Sequence, residues 1–240
     1  MGSKGAYSTD KQLEVFTMND AKFINVDTTY IKGIERAKQL KVVESPLVHV
    51  LVTPYIHEAS TLFSPSHQGR VFAILRHPIY RATSTYQYLK KTDAVVATWS
   101  LVQYASSDRI ENNWMTRFLS NHHSGEVTME HLILAKEILR TKVLIGLEDN
   151  NWVSLKRFEK YFNWEYNKQP TKQFECRKKF LIQREEAFDY KVENESTLVK
   201  EGSQIWTLIL WQNKFDMKLF QYAEKLFEEQ GSLFPGIPLK

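Results

Sequence analysis

Arg76 and Ser84 are the two residues whose types and spacing most directly indicate chemistry. A guanidinium offers a planar fork of donors that suits a phosphate, and a serine hydroxyl can add one more hydrogen bond. Arg76 follows the apolar run Val71–Leu75, which predicts a central strand buried on both faces, and helical spacing begins at Ile79. Since open α/β sheets bind ligands at the carboxyl ends of their strands, we expect an anion site there. The alternative is an ordinary strand-to-helix turn with a solvated arginine.

A second candidate anion site lies near the amino terminus, within residues 4–9. Its members of interest are a cation, a small residue and two hydroxyl groups: Lys4, Gly5, Ser8 and Thr9. The letters TDKQLEVF, from Thr9 onward, predict a helix, and the N–H groups of a helix N-terminus can form a cradle for anions. No strand is predicted before this loop, and the opening letters MGS are also typical of an expression tag followed by an irregular start.

Short apolar runs alternate with helical spacing along the chain. The runs that predict strands are residues 23–27, 48–52, 71–75 and 143–147. Helical spacing covers residues 30–40, a helix from Ile79, residues 128–142 and, as one long helix or a pair, residues 203–230. This alternation predicts an α/β fold with a parallel sheet and right-handed crossovers. Asp27 is expected to cap the helix that follows it, with a catalytic role as the alternative.

The composition narrows the function classes. Of 240 residues, 42% are hydrophobic and 25% charged, as in an ordinary globular protein with room for one substantial α/β domain. The net charge of +4 favours an anionic ligand but is small for a dedicated nucleic-acid binder. Cys176 is the only cysteine, which excludes an intrachain disulfide, and the adjacent His122 and His123 lack the spacing of a metal site. We therefore expect neither a metal nor a nucleic-acid partner.

Several stretches resemble one enzyme family. The letters FAILRHPIYRATSTYQYL, residues 72–89, resemble the 3′-phosphate-binding motif of sulfotransferases that use 3′-phosphoadenosine 5′-phosphosulfate (PAPS), in particular their carbohydrate-type, Golgi-like branch. In that motif an apolar strand is followed by Arg, then Pro, and by a Ser eight residues after the Arg. Residues 111–119 are similar to the Asn…Thr-Arg-x-Leu segment of that branch. VLIGLEDNNWVSLKRFEKYFNW (143–164) and NKFDMKLFQYAEKLFEEQ (213–230) also look like this family.

The resemblance implies a fold. It is a P-loop-like three-layer domain with a central parallel sheet flanked by helices, here one domain over residues 1–240. The helical segment at about 203–230 would pack on that domain. If residues 4–9 form the loop around the donor, the first strand of the fold is missing from this sequence, because that strand should precede the loop.

The resemblance also implies a donor and its ligands. Arg76 and Ser84 would hold the 3′-phosphate of PAPS. The amino-terminal loop would surround the 5′-phosphosulfate through the residues Lys4, Gly5, Ser8 and Thr9. Lys4 would also be catalytic, because it would stabilise charge on the leaving phosphate. No metal is required by such a site.

A base is also needed, because sulfuryl transfer to a hydroxyl or amine requires the acceptor to lose a proton as the sulfur is attacked in line. A histidine with a pKa near neutrality suits this task. His57 lies 19 residues before Arg76, a spacing found in several branches of the family. Glu58 is the alternative base, and His67 and His77 are weaker candidates.

The sequence leaves alternatives open for the acceptor and for the class of function. We expect a small-molecule or carbohydrate acceptor, with protein tyrosine as a further option, and residues 92–107 on the acceptor side. Arg117 is expected to reach the nucleotide or substrate, or to form an exposed salt bridge. A second hypothesis is a phosphotransferase, but that function needs a complete Gly-x-x-x-x-Gly-Lys-(Ser/Thr) loop that the sequence lacks. A third hypothesis is a non-catalytic, sulfotransferase-like nucleotide-binding module.

No segment of the sequence predicts a membrane anchor. No apolar run approaches the ~18 residues of a spanning helix, and the amino terminus lacks a signal-peptide pattern. We therefore expect a soluble, cytoplasmic protein. The alternative is the lumenal domain of a Golgi-type enzyme whose anchor has been removed.

Overall fold

The structure, a computed structural model, describes residues 11–18, 21–164, Thr171, Glu175 and 199–237. Helices and short strands are mixed in it, so the predicted α/β class is confirmed. The chain divides into two compact units, one of residues 1–70 with 117–126 and one of residues 71–116 with 127–240. The single domain over 1–240 stays a prediction, and the two units are described in turn.

The first unit begins with a β-hairpin. Strands β1 (Val15–Met18) and β2 (Ala21–Ile24) pair antiparallel, and their two phenylalanine rings stack at 5.9 Å. The buried Asn25 extends the pairing, because its side-chain oxygen accepts a hydrogen bond from the N–H of Glu14 at 3.0 Å. The aromatic and β-branched residues of both strands favour this extended backbone.

The hairpin corrects two predictions. The helix predicted over TDKQLEVF is wrong where the structure describes it, since Val15 and Phe16 belong to β1. The strand predicted at 23–27 ends at Ile24 and is antiparallel rather than parallel. A single turn of apparent helical spacing is weak information, and a partner strand that begins three residues after β1 ends decides the conformation instead.

Helix α1 (Ile31–Gln39) confirms the helix predicted at 30–40. It approaches the preceding turn so closely that a Cβ on Gly33 would lie 1.6 Å from the carbonyl oxygen of Asp27. The predicted capping role of Asp27 is wrong. Its carboxylate accepts from the N–H of Thr29 at 2.9 Å, while the N-cap residue of α1, Tyr30, makes no side-chain capping bond. The short side chain closes its own turn instead of reaching the helix.

The strand predicted at 48–52 is wrong. These residues form an irregular segment in which Val52 is 71% exposed and its carbonyl accepts from the Thr28 hydroxyl at 2.7 Å. An apolar run becomes a strand only where another strand meets it, and none of the described strands pairs with this run. The segment leads into α2 (Ile56–Ser60), so His57 lies on a short helix rather than in a loop.

The second unit contains a parallel pair of strands. Strands β3 (Val71–Leu75) and β4 (Val143–Leu147) run parallel, with their last residues in register, so both predicted strands and their direction are confirmed. The helices that begin in this unit are, in chain order, α3 (Pro78–Thr92), α4 (Leu101–Ala105), α5 (Trp114–Ser120), α6 (Met129–Lys142), α7 (Asn151–Phe162), α8 (Gln204–Gln212) and α9 (Lys214–Glu229). The predicted segment at 203–230 is therefore a pair of helices.

The position of β3 differs from the prediction. All of β4 is buried beneath α6, α7 and α9, whereas Ile74 in β3 is 41% exposed, so burial of β3 on both faces is wrong. The second edge of β4 bonds to a side chain: Gln230 donates to the carbonyl of Val143 and accepts from the N–H of Ile145, both at 2.9 Å. The Gln230 side chain thus occupies the edge of β4 where a further strand would pair, and the described sheet has two strands.

An aromatic cluster holds α7 against the strands. The Phe72 ring of β3 lies 4.8 Å from Phe158 and 5.8 Å from Trp164. Gly146 permits this packing, because a Cβ there would lie 2.7 Å from the Phe158 ring. On the other helices, a second core joins α3, α4 and α8 through buried residues that include Ile79, Tyr104 and Ile209. These two cores orient the turn that follows β3.

A buried carboxylate ties α3, α5 and α9 together. Asp216 on α9 is fully buried and accepts from the N–H groups of Met115 and Thr116 at 2.8 Å each, and from the Thr116 hydroxyl at 2.7 Å. It therefore caps the first turn of α5 from another helix. Arg81 on α3 completes the cluster, with 3.2 Å to Asp216 and 2.8 Å to Glu111.

The capping is reciprocal. The side-chain oxygen of Asn113, just before α5, accepts from the N–H of Phe215 at 2.8 Å and of Asp216 at 3.2 Å, in the first turn of α9. The Asn113 N–H in turn donates to the side-chain oxygen of Asn213 at 3.1 Å. Each helix start thus supplies the partner that the other needs, so neither leaves these buried N–H groups unsatisfied.

Removing the Asp216 carboxylate should destabilise the protein strongly. Asp216→Ala leaves two buried amides and a hydroxyl without their acceptor and removes one of the two carboxylates that Arg81 contacts. Losing one partner of a buried ion pair typically costs about 3–5 kcal/mol. Urea denaturation measures the free energy of unfolding. Glu137→Ala, which removes an exposed pair with Arg140, is the control and should leave the midpoint unchanged. A loss below ~1 kcal/mol for Asp216→Ala would contradict this account.

Candidate functional site at the carboxyl ends of the parallel strands

Arg76 and Glu148 lie side by side at one edge of the parallel pair. Each directly follows the last residue of its strand, and those last residues, Leu75 and Leu147, are opposite each other in the register. The Arg76 Nε donates to the Glu148 Oε2 at 2.7 Å. The two side chains are only 18% and 7% exposed. Arg76 therefore lies at the carboxyl end of a parallel strand, as predicted, and the alternative of a solvated arginine is wrong. The central place of that strand in a larger sheet stays a prediction.

Ser84 lies in the second turn of α3, where the sequence predicted it. Its side chain is half-buried, and helical spacing places it on the same face as Tyr80. The flanking hydroxyls are both used: Thr83 donates to the carbonyl of Ile79 at 2.6 Å, and Thr85 to the carboxylate of Glu111 at 3.1 Å. Among the described residues, the Ser84 hydroxyl makes no hydrogen bond. A guanidinium and a hydroxyl are hydrogen-bond donors that fit an anion. The role of Ser84 as a ligand stays a prediction.

His77 forms the turn between β3 and α3. Its ring packs against Tyr80 at 5.0 Å, Trp206 at 5.6 Å and Phe220 at 5.4 Å. The Nδ1 atom is buried and has no hydrogen-bond partner among the described residues. Burial lowers the pKa of His77, although the negative charge of Asp149 opposes this shift. Burial in this turn thus favours the neutral form of the imidazole.

One ring nitrogen of His57, the predicted base, already makes a hydrogen bond. Its Nε2 lies 2.8 Å from the carbonyl oxygen of Leu119, within the first unit. A carbonyl can only accept, so Nε2 must carry the hydrogen and Nδ1 is the nitrogen that can take up a proton. The next residue, Glu58, has a buried Oε2 with no hydrogen-bond partner in the described part of the chain. Both therefore remain chemically able to act as a base.

The other predicted site residues are four residues near the amino terminus and Arg117. Lys4, Gly5, Ser8 and Thr9 lie outside the described residues, so their roles stay predictions. Arg117 donates to the carbonyl oxygens of Gly125 at 2.8 Å and His122 at 3.4 Å, so it secures a loop in the first unit. Its contact with a nucleotide or substrate, or an exposed salt bridge, stays a prediction.

Glu148 is the residue that sequence reasoning missed. The sequence does contain one indication of its importance, because Glu148 is the first charged residue after a predicted strand, as Arg76 is. The pattern could not show that the two strands would be neighbours with their ends in register. That fact depends on pairing between residues 72 positions apart.

Comparisons with protein-family models, with curated proteins and with solved structures found no match to this chain. None of the described helices is long and apolar enough to cross a membrane. Across the described ranges, no three His, Cys, Asp or Glu side chains are grouped to hold a metal ion.

Acidification should destabilise the folded protein through His77. Since burial lowers its pKa in the folded state, the unfolded state binds a proton first once the pH falls below the ordinary value of 6.5. The free energy of unfolding should therefore keep its full contribution from neutral His77 above that pH. It should decrease as the pH drops towards the lowered pKa. Urea denaturation of the wild type and of His77→Phe, which keeps an aromatic ring, at about pH 7.5 and about pH 5.5 measures this.

The variant should lose less stability than the wild type over that pH interval. His67→Gln, which replaces an exposed histidine, should retain the wild-type pH dependence. Equal pH dependence in the wild type and His77→Phe would show that His77 does not carry the effect.

Proposed function

We propose that this protein is a PAPS-dependent sulfotransferase. The observation that supports this most is Arg76 at the carboxyl end of a strand in a parallel pair, with Ser84 two turns into the helix that follows. The proposal includes the P-loop-like three-layer fold with a central parallel sheet, of which β3 and β4 would be two strands. The helices that pack on β4 are compatible with such layers.

The 3′-phosphate would be bound by residues of the second unit. The guanidinium of Arg76 and the hydroxyl of Ser84 would bind the 3′-phosphate, which distinguishes PAPS from nucleotides that lack it. The 5′-phosphosulfate would lie against Lys4 and the loop residues Gly5, Ser8 and Thr9. Backbone N–H groups and a lysine in that position would stabilise the charge that develops on the leaving phosphate.

The reaction is an in-line displacement at sulfur. The acceptor oxygen forms the new S–O bond, the bond between sulfur and the bridging phosphate oxygen breaks, and adenosine 3′,5′-bisphosphate leaves with the electron pair. The acceptor proton passes to Nδ1 of His57, because Nε2 already donates to the Leu119 carbonyl. Glu58 is the alternative proton acceptor. The acceptor would be a carbohydrate or another small molecule with a hydroxyl or amine, and no metal takes part.

The nucleotide site is tested by calorimetry with adenosine 3′,5′-bisphosphate. Arg76→Lys removes the planar fork but keeps the charge that Glu148 needs, and it should weaken binding roughly 10-fold or more. Ser84→Ala removes one hydrogen bond and should weaken binding about 3- to 10-fold. Arg140→Lys and Thr92→Ala are matched controls on an exposed pair and on α3, and both should bind like the wild type. A wild-type protein that does not bind the bisphosphate would refute the proposal.

The base is tested with His57→Gln. The glutamine amide can still donate towards the Leu119 carbonyl, while the proton-accepting nitrogen is lost. We expect bisphosphate binding within twofold of the wild type and turnover reduced by about 10²-fold or more. Transfer from radiolabelled PAPS to a panel of sugars and phenols is the assay, with Glu58→Gln in parallel. Retained turnover in His57→Gln with loss in Glu58→Gln would move the role to the carboxylate.

The same assays separate the other function classes. A wild type that binds the bisphosphate but sulfates no acceptor in the panel would support a non-catalytic binding module. Nucleotide binding that requires magnesium and prefers nucleoside triphosphates would instead indicate a phosphotransferase.

A further inference from the structure

We propose that Glu148 is a positioning residue for the donor site, which orients the Arg76 guanidinium and so determines the preference for a 3′-phosphate. This inference rests on the proposed function. It comes from the juxtaposition of the two side chains at the ends of β3 and β4, where the register brings Leu75 opposite Leu147. Neighbouring strands lie roughly 4.8 Å apart, so the residues that follow them are within reach of each other.

The carboxylate is itself held firmly. Glu148 is 7% exposed and begins the tight turn Glu148–Asn150, between the fully buried β4 and helix α7. A carboxylate in this setting is unfavourable unless it is paired, and Arg76 supplies the partner at 2.7 Å. The acceptor oxygen therefore has a fixed position before any nucleotide arrives.

Fixing Nε restricts the orientation of the guanidinium. The guanidinium is planar, and its five N–H donors keep a constant arrangement around the central carbon. Once Nε donates to a fixed oxygen, rotation of the plane about the end of the side chain is restricted. The ordering of a long side chain then takes place on folding and no longer reduces the affinity for the phosphate.

Orientation and charge act in opposite directions on phosphate affinity. The negative charge of Glu148 repels a phosphate, whereas its hydrogen bond presents the guanidinium in one geometry. The two effects can be separated by substitution. Glu148→Gln keeps an acceptor oxygen at the same length without the charge, and Glu148→Asp keeps the charge on a side chain that is one methylene shorter.

The test compares calorimetric affinities for adenosine 3′,5′-bisphosphate and adenosine 5′-monophosphate, which lacks the 3′-phosphate. In Glu148→Ala and Glu148→Asp, bisphosphate affinity should fall roughly tenfold while monophosphate affinity stays within twofold, since immobilising one long side chain costs at most ~1.5 kcal/mol. Glu148→Gln should restore most of the wild-type preference. Asp149→Asn, which removes the neighbouring exposed charge, is the control and should not change the ratio.

The outcomes distinguish this inference from the proposed function. A wild type that binds both nucleotides equally, or neither, refutes the donor site itself. A wild type that prefers the bisphosphate, together with a Glu148→Ala variant that keeps the ratio or gains bisphosphate affinity, refutes the positioning role alone. If Glu148→Ala does not fold, Glu148→Asp and Glu148→Gln decide, because a preference that is kept in Glu148→Asp but lost in Glu148→Gln shows that charge rather than orientation matters. Equal losses for both nucleotides would show a general structural defect instead.

Discussion

The buried carboxylate of Asp216 is the constraint on which the second unit depends. A fully buried charge must have all its hydrogen-bond partners, and Asp216 finds them on Arg81 of α3 and on the first turn of α5. Each of these partners lies at least 100 residues from Asp216 in the chain. The interaction therefore sets the orientation of α3, the helix that carries Ser84. The donor site proposed at the strand ends relies on that orientation, although Asp216 takes no part in it.

The same cluster changes the interpretation of the segment that resembles the Asn…Thr-Arg-x-Leu pattern. Asn113 caps α9, and the Thr116 hydroxyl donates to Asp216, so both residues have complete structural roles within the second unit. Arg117 holds loop carbonyls in the first unit. Residue types at these positions are thus explained by helix capping and loop closure. The resemblance at 111–119 supports similarity of local structure more directly than it supports a shared reaction.

How far the sequence could predict this structure depends on the range of the interactions. Strand β3 and helices α3 and α6 can be predicted from local periodicity. The strand ends before a charged residue, Arg76, and the two helices are long enough to show a clear helical period. Residues 48–52 have an equally good apolar pattern but no described partner strand, and a pattern alone cannot supply one. The Arg76–Glu148 pair was beyond prediction for the same reason. It depends on which strands are neighbours, which periodicity does not encode.

Arg76 and Ser84 do not carry equal weight in the argument for a phosphate site. A buried glutamate at position 148 requires a cation, so folding alone would explain an arginine at position 76. The Ser84 hydroxyl is different, because it makes no hydrogen bond within the described residues while both neighbouring threonines do. A half-buried hydroxyl without a protein partner can bond to solvent, so folding neither requires nor excludes a serine at that position. Of the two residues, the serine is therefore the one whose presence the contacts of the folded chain explain less.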